Sequence, residues 1–400
     1  MSSSTASKPK APMSSHSRFL IRAQSVLLGL VILYTCAILL VMTPFIQTHV
    51  VFAHRAKSFG YSKFDHPELY GLAPGKTVDL RLRSADNTTL GAWFIFSDSF
   101  YHELPYPPTS RDRTQEIAHA VASRPTILFY HGNTGTRALG LRISLYLALT
   151  ARLDANVFVV DYRGFADSEG HPTVEGVTLD AYAAWDYLMD KGAKPKDVLI
   201  LGHSLGTAIA GIVASRLGKE GVQPRGVVLM APFSSIRAVM DEYYLFGFLP
   251  LLRPIASLPG VPRVLTWSLK HKFDTLTLVP NIKSSVLLAH AEDDYDIFAT
   301  HSEILFEAFL NPHLVATVNG AHTNSAWYET EYEADKLRRQ AFFNQTHIPY
   351  FGNLTHFQYG GRRVAMLKTI MGSHDLGQLE GVQDTIGREF GLPESRTPKN

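Results

Sequence analysis

Cysteine is almost absent from this sequence, because Cys36 is the single one among its 400 residues. A disulfide framework needs cysteine pairs and a thiol zinc site needs several cysteines, so both are excluded. Cys36 lies inside a long apolar run, where it cannot act as a nucleophile for the polar part of the chain. Cysteine chemistry is therefore excluded outside this run.

An excess of charge of either sign is also missing. The chain has 38 basic and 36 acidic residues, a formal net charge of +2, and no basic run stands out. Nucleic-acid binding needs clustered positive charge to neutralise phosphates, so we expect no nucleic-acid partner. The hydrophobic fraction of 46% is, by contrast, large enough to build a sizeable core.

A long apolar run near the N-terminus predicts a membrane anchor. Residues 26–43 contain no charged side chain and approach the roughly 20 residues that cross a bilayer. A buried core helix is disfavoured because the run is apolar on every face. A cleaved signal peptide, with residues 51–53 as the cleavage site, is the stronger alternative. The sequence predicts a transmembrane helix over residues 25–46 after a disordered cytoplasmic tail over residues 1–24.

The residues that flank this run predict its orientation. The basic residues near it are Lys8, Lys10, Arg18 and Arg22 on the N-terminal side and Arg55, Lys57 and Lys63 on the C-terminal side. Their slight excess before the run favours a cytoplasmic N-terminus. The N-x-[ST] glycosylation motifs, which accept glycan only in the lumen, all follow the run, at Asn87, Asn344 and Asn353. We therefore expect a single-pass protein with a lumenal domain.

Short β-branched runs alternate with helical patterns through the rest of the chain. Runs that are apolar throughout are typical of strands buried on both faces, as in a parallel sheet. They occupy residues 126–130, 157–160, 198–201, 227–230 and 286–289. Two earlier runs, 78–82 and 90–96, flank a turn and predict a hairpin. The alternation predicts one doubly wound, mostly parallel α/β sheet within a domain over residues 70–391.

Two segments interrupt this alternation. Residues 233–279 are too long for a simple connection and are rich in aromatic residues and proline, which predicts a cap over the site with an apolar tunnel for an acyl chain. Residues 311–361 predict a second insertion, which holds two of the glycosylation motifs. Residues 392–400 are expected to form a C-terminal tail.

A G-x-S-x-G motif at residues 202–206 predicts a serine nucleophile, Ser204. The motif directly follows a predicted strand and opens a helix rich in small residues, which is the context of a nucleophile elbow. Such a serine needs backbone N–H groups that stabilise an oxyanion. We expect these from Leu205, directly after the nucleophile, and from Asn133, on the loop after the strand at residues 126–130.

A catalytic serine also needs a carboxylate that orients the histidine base. Three candidates for this acid follow the strand at residues 286–289, namely Glu292, Asp293 and Asp294. Asp161 also follows a predicted strand, but it precedes the serine in the chain. Where the serine lies on a nucleophile elbow, the catalytic triad follows the chain order serine, acid, histidine. No matching group of histidines or carboxylates lies nearby, so we expect no metal.

Two histidines compete for the general base. His322 and His374 each follow a run that can be a strand, but only His374 is followed by a helical pattern, at residues 379–390. The catalytic histidine of this architecture lies between the last strand and the last helix, which favours His374. His131 is expected to be structural.

The sequence resembles the α/β-hydrolase-domain lipases of the endoplasmic reticulum, which are similar to monoacylglycerol and lysophosphatidylserine lipases. The resemblance rests on the segments YHGNTGTR, DYRGFADSEGHPT, GHSLGT and HAEDD, covers about residues 70 to 310, and returns near residues 372–391 in HDLGQLEGVQ. It implies an α/β-hydrolase fold, one N-terminal membrane helix, an endoplasmic-reticulum location and Asp294 as the acid.

The sequence therefore predicts a serine hydrolase that cleaves carboxylic esters of lipids with one acyl chain, monoacylglycerol or lysophospholipid, without a cofactor. Ser204 attacks, His374 transfers the proton and Asp294 orients the imidazole. A serine peptidase and a thioesterase that acts on acylated proteins share this triad and remain alternatives. A hydrolase-like protein without catalysis is disfavoured because all of these groups are available.

Overall fold

The structure is a computed structural model. The residues it describes are 15–55, 63–106, 113–242, 244–245, 249–250, 255, 260–310, 343–359 and 361–392. Residues 1–14 of the predicted tail, His322 and residues 311–342 of the predicted second insertion lie outside the described residues.

The helices of the described part follow the predicted pattern. They are α1 (Ser15–Val41), α2 (Pro44–Phe52), α3 (Asp98–Tyr101), α4 (Thr114–Ser123), α5 (Gly140–Arg152), α6 (Val174–Asp190), α7 (Leu205–Lys219), α8 (Ile236–Glu242), α9 (Val261–Ser268), α10 (Thr300–Leu310) and α11 (Glu380–Phe390). Helix α11 lies within one residue of the range 379–390 that its apolar spacing predicts.

Most strands lie where the apolar runs predict them, whereas those at residues 244–245, 249–250, 344–348 and 352–359 lie within the two predicted insertions. The strands are β1 (Thr77–Arg83), β2 (Thr89–Ile95), β3 (Thr126–Tyr130), β4 (Asn156–Val160), β5 (Val198–His203), β6 (Gly226–Met230), β7 (Tyr244–Leu245), β8 (Leu249–Pro250), β9 (Val286–Ala291), β10 (Asn344–Ile348), β11 (Gly352–Tyr359) and β12 (Arg362–Thr369).

Ten of the described strands form one sheet, in the order β1-β2-β4-β3-β5-β6-β9-β12-β11-β10, and β7 pairs with β8 separately. The strands from β4 to β12 in this order are parallel, and β1-β2 and β11-β10 add antiparallel pairs at the two edges. The parallel strands β3, β4, β5 and β6 are almost wholly buried, which explains why their sequences are apolar throughout. The predicted fold class is confirmed.

Helices cover both faces of this sheet, as a doubly wound architecture requires. Ile209 and Val213 of α7 lie in the hydrophobic core on one face. Leu149 of α5 and Ile386 of α11 lie in the core on the other face. The carboxyl ends of the parallel strands meet at one edge of the sheet, where the loops after β3, β5, β9 and β12 come together.

The N-terminal helix differs from its predicted bounds. Helix α1 begins at Ser15, inside the predicted disordered tail, because Leu20, Arg22 and Ala23 are good helix formers that extend the apolar segment. It ends at Val41, because the proline ring of Pro44 cannot continue a helix and starts α2 instead. Residues 18–41 form one helix long and apolar enough to cross a membrane, and only 6% of its most apolar part is buried.

The domain also extends beyond its predicted limits of residues 70 and 391. Phe52 and Phe64 are buried in the two cores, so the fold begins before residue 70. Leu392, assigned by the sequence to the tail, is 5% exposed, and its N–H donates to the carbonyl of Gly387 after a left-handed Gly391.

The described end of the predicted second insertion is not separate from the sheet. Strands β10 and β11 form a hairpin that extends the sheet beyond β12. The side chains of β10 are mostly exposed, as expected for an edge strand. This hairpin carries Asn344 and Asn353.

Candidate active site

Ser204 lies at the turn between β5 and α7. Its φ of +52° is in the left-handed region, which a residue with a side chain adopts only under constraint. Close packing supplies that constraint, because a Cβ on Gly202 would collide with the backbone of Gly206, and a Cβ on Gly206 would collide with the carbonyl of Tyr130. The turn therefore has the strained geometry of the elbow that the motif predicts.

The loop after β3 faces this turn and is held by a buried arginine. The guanidinium of Arg142 donates hydrogen bonds to the carbonyls of Gly132 (3.1 Å), Asn133 (3.1 Å) and Thr134 (2.7 Å). Nδ1–H of His131 donates to the Gly132 carbonyl as well, at 2.7 Å. The loop carbonyls are thus fixed on the side of Arg142.

The direction of these carbonyls orients the N–H groups of the same loop. In a trans peptide the C=O and the following N–H point in opposite directions, so the bonds to the Gly132 carbonyl turn the N–H of Asn133 away from Arg142. Asn133 and Ser204 line one pocket. Leu205 is the first residue of α7, where an N–H has no partner within the helix. Both geometries favour the predicted oxyanion donors, whose roles stay predictions.

The carboxylates after β9 have two different sets of partners. Oδ2 of Asp294 accepts a hydrogen bond from Nδ1–H of His374 at 2.8 Å, and its Oδ1 accepts from the N–H groups of Asp296 and Ile297. Asp293 instead accepts from the N–H of Ser373 at 2.7 Å. Asp294 therefore contacts the imidazole, whereas Asp293 holds the loop that carries it.

His374 lies on the loop between β12 and α11, as the chain order predicts. Burial alone would lower the pKa of His374, but the hydrogen bond and charge of Asp294 outweigh burial and raise that pKa above 6.5. For Asp294, burial favours the neutral form, but the hydrogen bonds of His290 and His374 hold its pKa well below the usual range. The pair is arranged so that a charged imidazole is stabilised next to a permanent carboxylate.

Two further histidines, which the sequence motifs did not mark as functional, support this pair. Nε2–H of His203 donates to the backbone carbonyl of His374 at 2.8 Å, and burial together with the charge of His374 lowers the pKa of His203 to about 3. Nε2 of His290 lies 3.2 Å from Oδ2 of Asp294. The signal for both was their position beside the motifs, in GHSLG and HAEDD.

The same residues could suggest a cation site. One ligand atom from each of Asp294, Asp296 and His374 lies within 4.8 Å of the others. However, both oxygens of Asp294 already accept hydrogen bonds from N–H groups, and Nδ1 of His374 is a donor in one of them. This saturation favours an orienting carboxylate over a metal ligand.

A pocket of about 170 Å³ lies beside Ser204 and His374. Its polar side chains are Asn133, Arg142, His203, Asp375 and Gln378, and its apolar wall comes largely from Leu139, Leu141 and Leu145 of the α5 region and from Met230. The sequence predicts that aromatic cap residues form the wall of an acyl-chain tunnel. Within the described residues the wall comes from α5 instead, and the cap helix α9 packs on α1.

The remaining predicted residues lie away from the pocket. Asp161 is buried and accepts a hydrogen bond from Arg137 at 2.7 Å, which agrees with its exclusion from the acid position by chain order. Asn87 and Asn344 are exposed and Asn353 is half-buried. Glycan attachment at these three positions stays a prediction.

The model of the alpha/beta hydrolase family matches residues 127–351, more than half of the chain. The chain belongs to the α/β hydrolase family. The family predicted from the sequence is thus confirmed, and the match includes Ser204 and Asp294 but ends before His374.

Curated relatives of this hydrolase carry lipase names. It is 28% identical over 277 residues to the lysophosphatidylserine lipase ABHD12 of Danio rerio, which is 68% of this chain and 69% of that one. It is 30% identical over 262 residues to the lysophosphatidylserine lipase ABHD12 of Gallus gallus, which is 63% of this chain and 64% of that one. The alignments thus span about two thirds of these relatives.

Among solved structures, the alpha-beta hydrolase of Vibrio vulnificus is 15% identical to this hydrolase and covers 69% of this chain and 83% of its own, with a TM-score of 0.49. The fold assignment rests on the strand order and on the family match.

Proposed function

We propose that this hydrolase cleaves carboxylic esters of lysolipids through Ser204, His374 and Asp294. The observation that carries the proposal is the 2.8 Å hydrogen bond between His374 and Asp294, because His374 lines one pocket together with the strained Ser204. Ser204 attacks the ester carbonyl and passes its proton to Nε2 of His374, because Nδ1–H is bound to Asp294. The N–H groups of Leu205 and Asn133 stabilise the oxyanion.

The size of the pocket favours a substrate whose ester group lies inside it while much of a long acyl chain lies outside. At about 170 Å³ it is smaller than the roughly 300–1,000 Å³ of sites that enclose a whole ligand, so part of a lipid substrate lies outside it. The side-chain amide of Gln378 lines the pocket and provides a polar partner for a head group near the ester, whereas the guanidinium of Arg142 is already bound to the loop carbonyls. The lipase names of the curated relatives support the same substrate class.

The substrate proposal predicts which bonds the purified full chain hydrolyses. We expect release of fatty acid from a lysophospholipid or a monoacylglycerol, and no cleavage of short water-soluble peptides. Ser204→Ala is the matched control, and a fluorophosphonate probe should label the wild type and not this variant. Cleavage of peptides without turnover of lipid would instead support the peptidase alternative.

The N-terminal apolar helix supports anchoring by a single span, and we place the hydrolase domain in the lumen of the endoplasmic reticulum. The support is the slight basic excess before α1 and the three glycosylation motifs after it. We expect Asn87→Gln to shift the mobility of the protein on a gel, because Asn87 is exposed on the turn between β1 and β2. Digestion of the domain by protease added to the cytosolic side of microsomes would contradict this orientation.

A further inference from the structure

Helix α9 of the cap is amphipathic, and one of its faces is left uncovered. Leu265 is buried, but Val264 and Trp267 are 51% and 82% exposed. Residues three apart on a helix lie on the same side, so these two side chains form one apolar face. Exposure of an indole to water to this extent is unfavourable, so contact of this face with an apolar neighbour would stabilise it.

The contact of α9 with α1 gives the position of α9 along the axis of the candidate membrane span. Leu265 packs against Ile38, and Tyr34 and Val261 pack against this pair. Ile38 lies three residues before the end of α1, which places it about 4.5 Å inside that end at the helical rise of 1.5 Å per residue. Helix α9 therefore lies beside the last turn of the candidate membrane span, and not above it.

Hydrogen bonds fix this arrangement. The buried side chain of Gln47, in α2, donates to the carbonyl of Ser268 at 2.9 Å and accepts from the N–H of Lys270 at 2.7 Å. Thr48 of α2 also lies within hydrogen-bond distance of His271. The C-terminal end of α9 is thus tied to the helix that directly follows the span.

We propose that Val264 and Trp267 insert into the interfacial layer of the bilayer that α1 crosses, so that α9 is a second membrane-docking element of the domain. This proposal rests on the proposed membrane anchoring. Tryptophan is enriched at the boundary between head groups and acyl chains, the depth at which the contact with Ile38 places α9. Arg263 and Lys270 flank the face and are exposed, where they can meet lipid phosphates.

The docking also relates the membrane to the site. The carbonyl of Phe52, the last residue of α2, accepts a hydrogen bond from the N–H of Thr134 in the loop after β3. Helix α2 therefore joins α9, the end of the span and the proposed oxyanion loop. A domain held at two points would keep the ester-binding pocket at a constant distance from the lipid surface from which a lysolipid must come.

Fluorescence quenching tests the docking without reference to activity. The full chain is reconstituted as single copies in phosphatidylcholine nanodiscs, with part of the lipid brominated, and compared with Trp267→Phe. The other three tryptophans, Trp93, Trp185 and Trp327, are the same in both proteins, so the difference between the two emissions reports Trp267. We expect this difference to be quenched by brominated lipid and not by acrylamide. Quenching by acrylamide, or by neither agent, would place Trp267 in water or against protein and overturn the proposal.

Activity gives a second test with a matched control. Trp267→Glu should lower hydrolysis of a lysolipid in phosphatidylcholine vesicles roughly tenfold and leave a short water-soluble ester unchanged. Tyr350→Glu, which changes a 97% exposed aromatic residue on the hairpin between β10 and β11, should affect neither substrate. Equal losses on both substrates, or the same loss in the control, would overturn the docking. A wild type inactive on both esters would instead refute the proposed function. The docking would then be judged by the quenching alone, which does not depend on turnover.

Discussion

Replacement of His374 by alanine should remove nearly all ester hydrolysis. Among the described residues that line the pocket with Ser204, His374 is the one bound to Asp294, so the variant retains only binding and oxyanion stabilisation. Losing the general base of such a triad lowers kcat on the order of 10⁴-fold or more. The measurement is the steady-state rate on a lysolipid, with circular dichroism to verify that the variant is folded.

His322→Ala is the control that separates the two candidate histidines. His322 lies outside the described residues, in the segment that the sequence assigns to an insertion. We expect this variant to keep substantial activity. Loss of activity in folded His322→Ala together with retention in His374→Ala would show that the final strand of the triad had been wrongly assigned.

Asp294→Asn should be the next most damaging change. The amide oxygen would take the N–H bonds of Asp296 and Ile297, and the amide NH₂ would then donate to Nδ1 of His374. That bond favours the tautomer with the proton on Nε2, which cannot accept the proton of Ser204. We expect kcat to fall on the order of 10³- to 10⁴-fold, as for the equivalent change in another serine hydrolase.

Asp293→Asn is the matched control, since it makes the same chemical change one residue earlier. Asp293 accepts from the N–H of Ser373, and an asparagine oxygen can accept the same bond. We expect a loss below roughly tenfold, the size expected when a backbone hydrogen bond is weakened. A larger loss in Asp293→Asn than in Asp294→Asn would reverse the assignment of the acid.

The same pair of variants gives the pH dependence. Neutral His374 is the active base, so activity is present above its pKa and is lost as the pH falls through it. Because Asp294 raises this pKa, the acidic limb of kcat/KM in the wild type should have its midpoint above pH 6.5. In Asp294→Asn the residual activity should show a limb at lower pH, whereas Asp293→Asn should keep the limb of the wild type. His203 contributes no such limb near neutrality, because its pKa is lowered to about 3.

The sequence alone was sufficient for the features that depend on neighbouring residues. The apolar runs at residues 126–130 and 198–201 coincide with β3 and the start of β5, because strands buried on both faces have no polar side. The motif at residues 202–206 predicted a strained turn, because its glycines permit a close approach that side chains would block. The order of strand, histidine and helix predicted the position of His374.

The tertiary structure decided what depends on residues far apart in the chain. Asp293 and Asp294 are adjacent and chemically identical, and only the path of the loop after β12 determines which of them contacts the imidazole. The aromatic composition of the cap predicted an acyl-chain tunnel, whereas the contact of Leu265 with Ile38 places α9 beside the membrane helix. Composition determines how much apolar area of a segment must be shielded from water. The geometry of packing determines whether a substrate, the protein core or a lipid shields it.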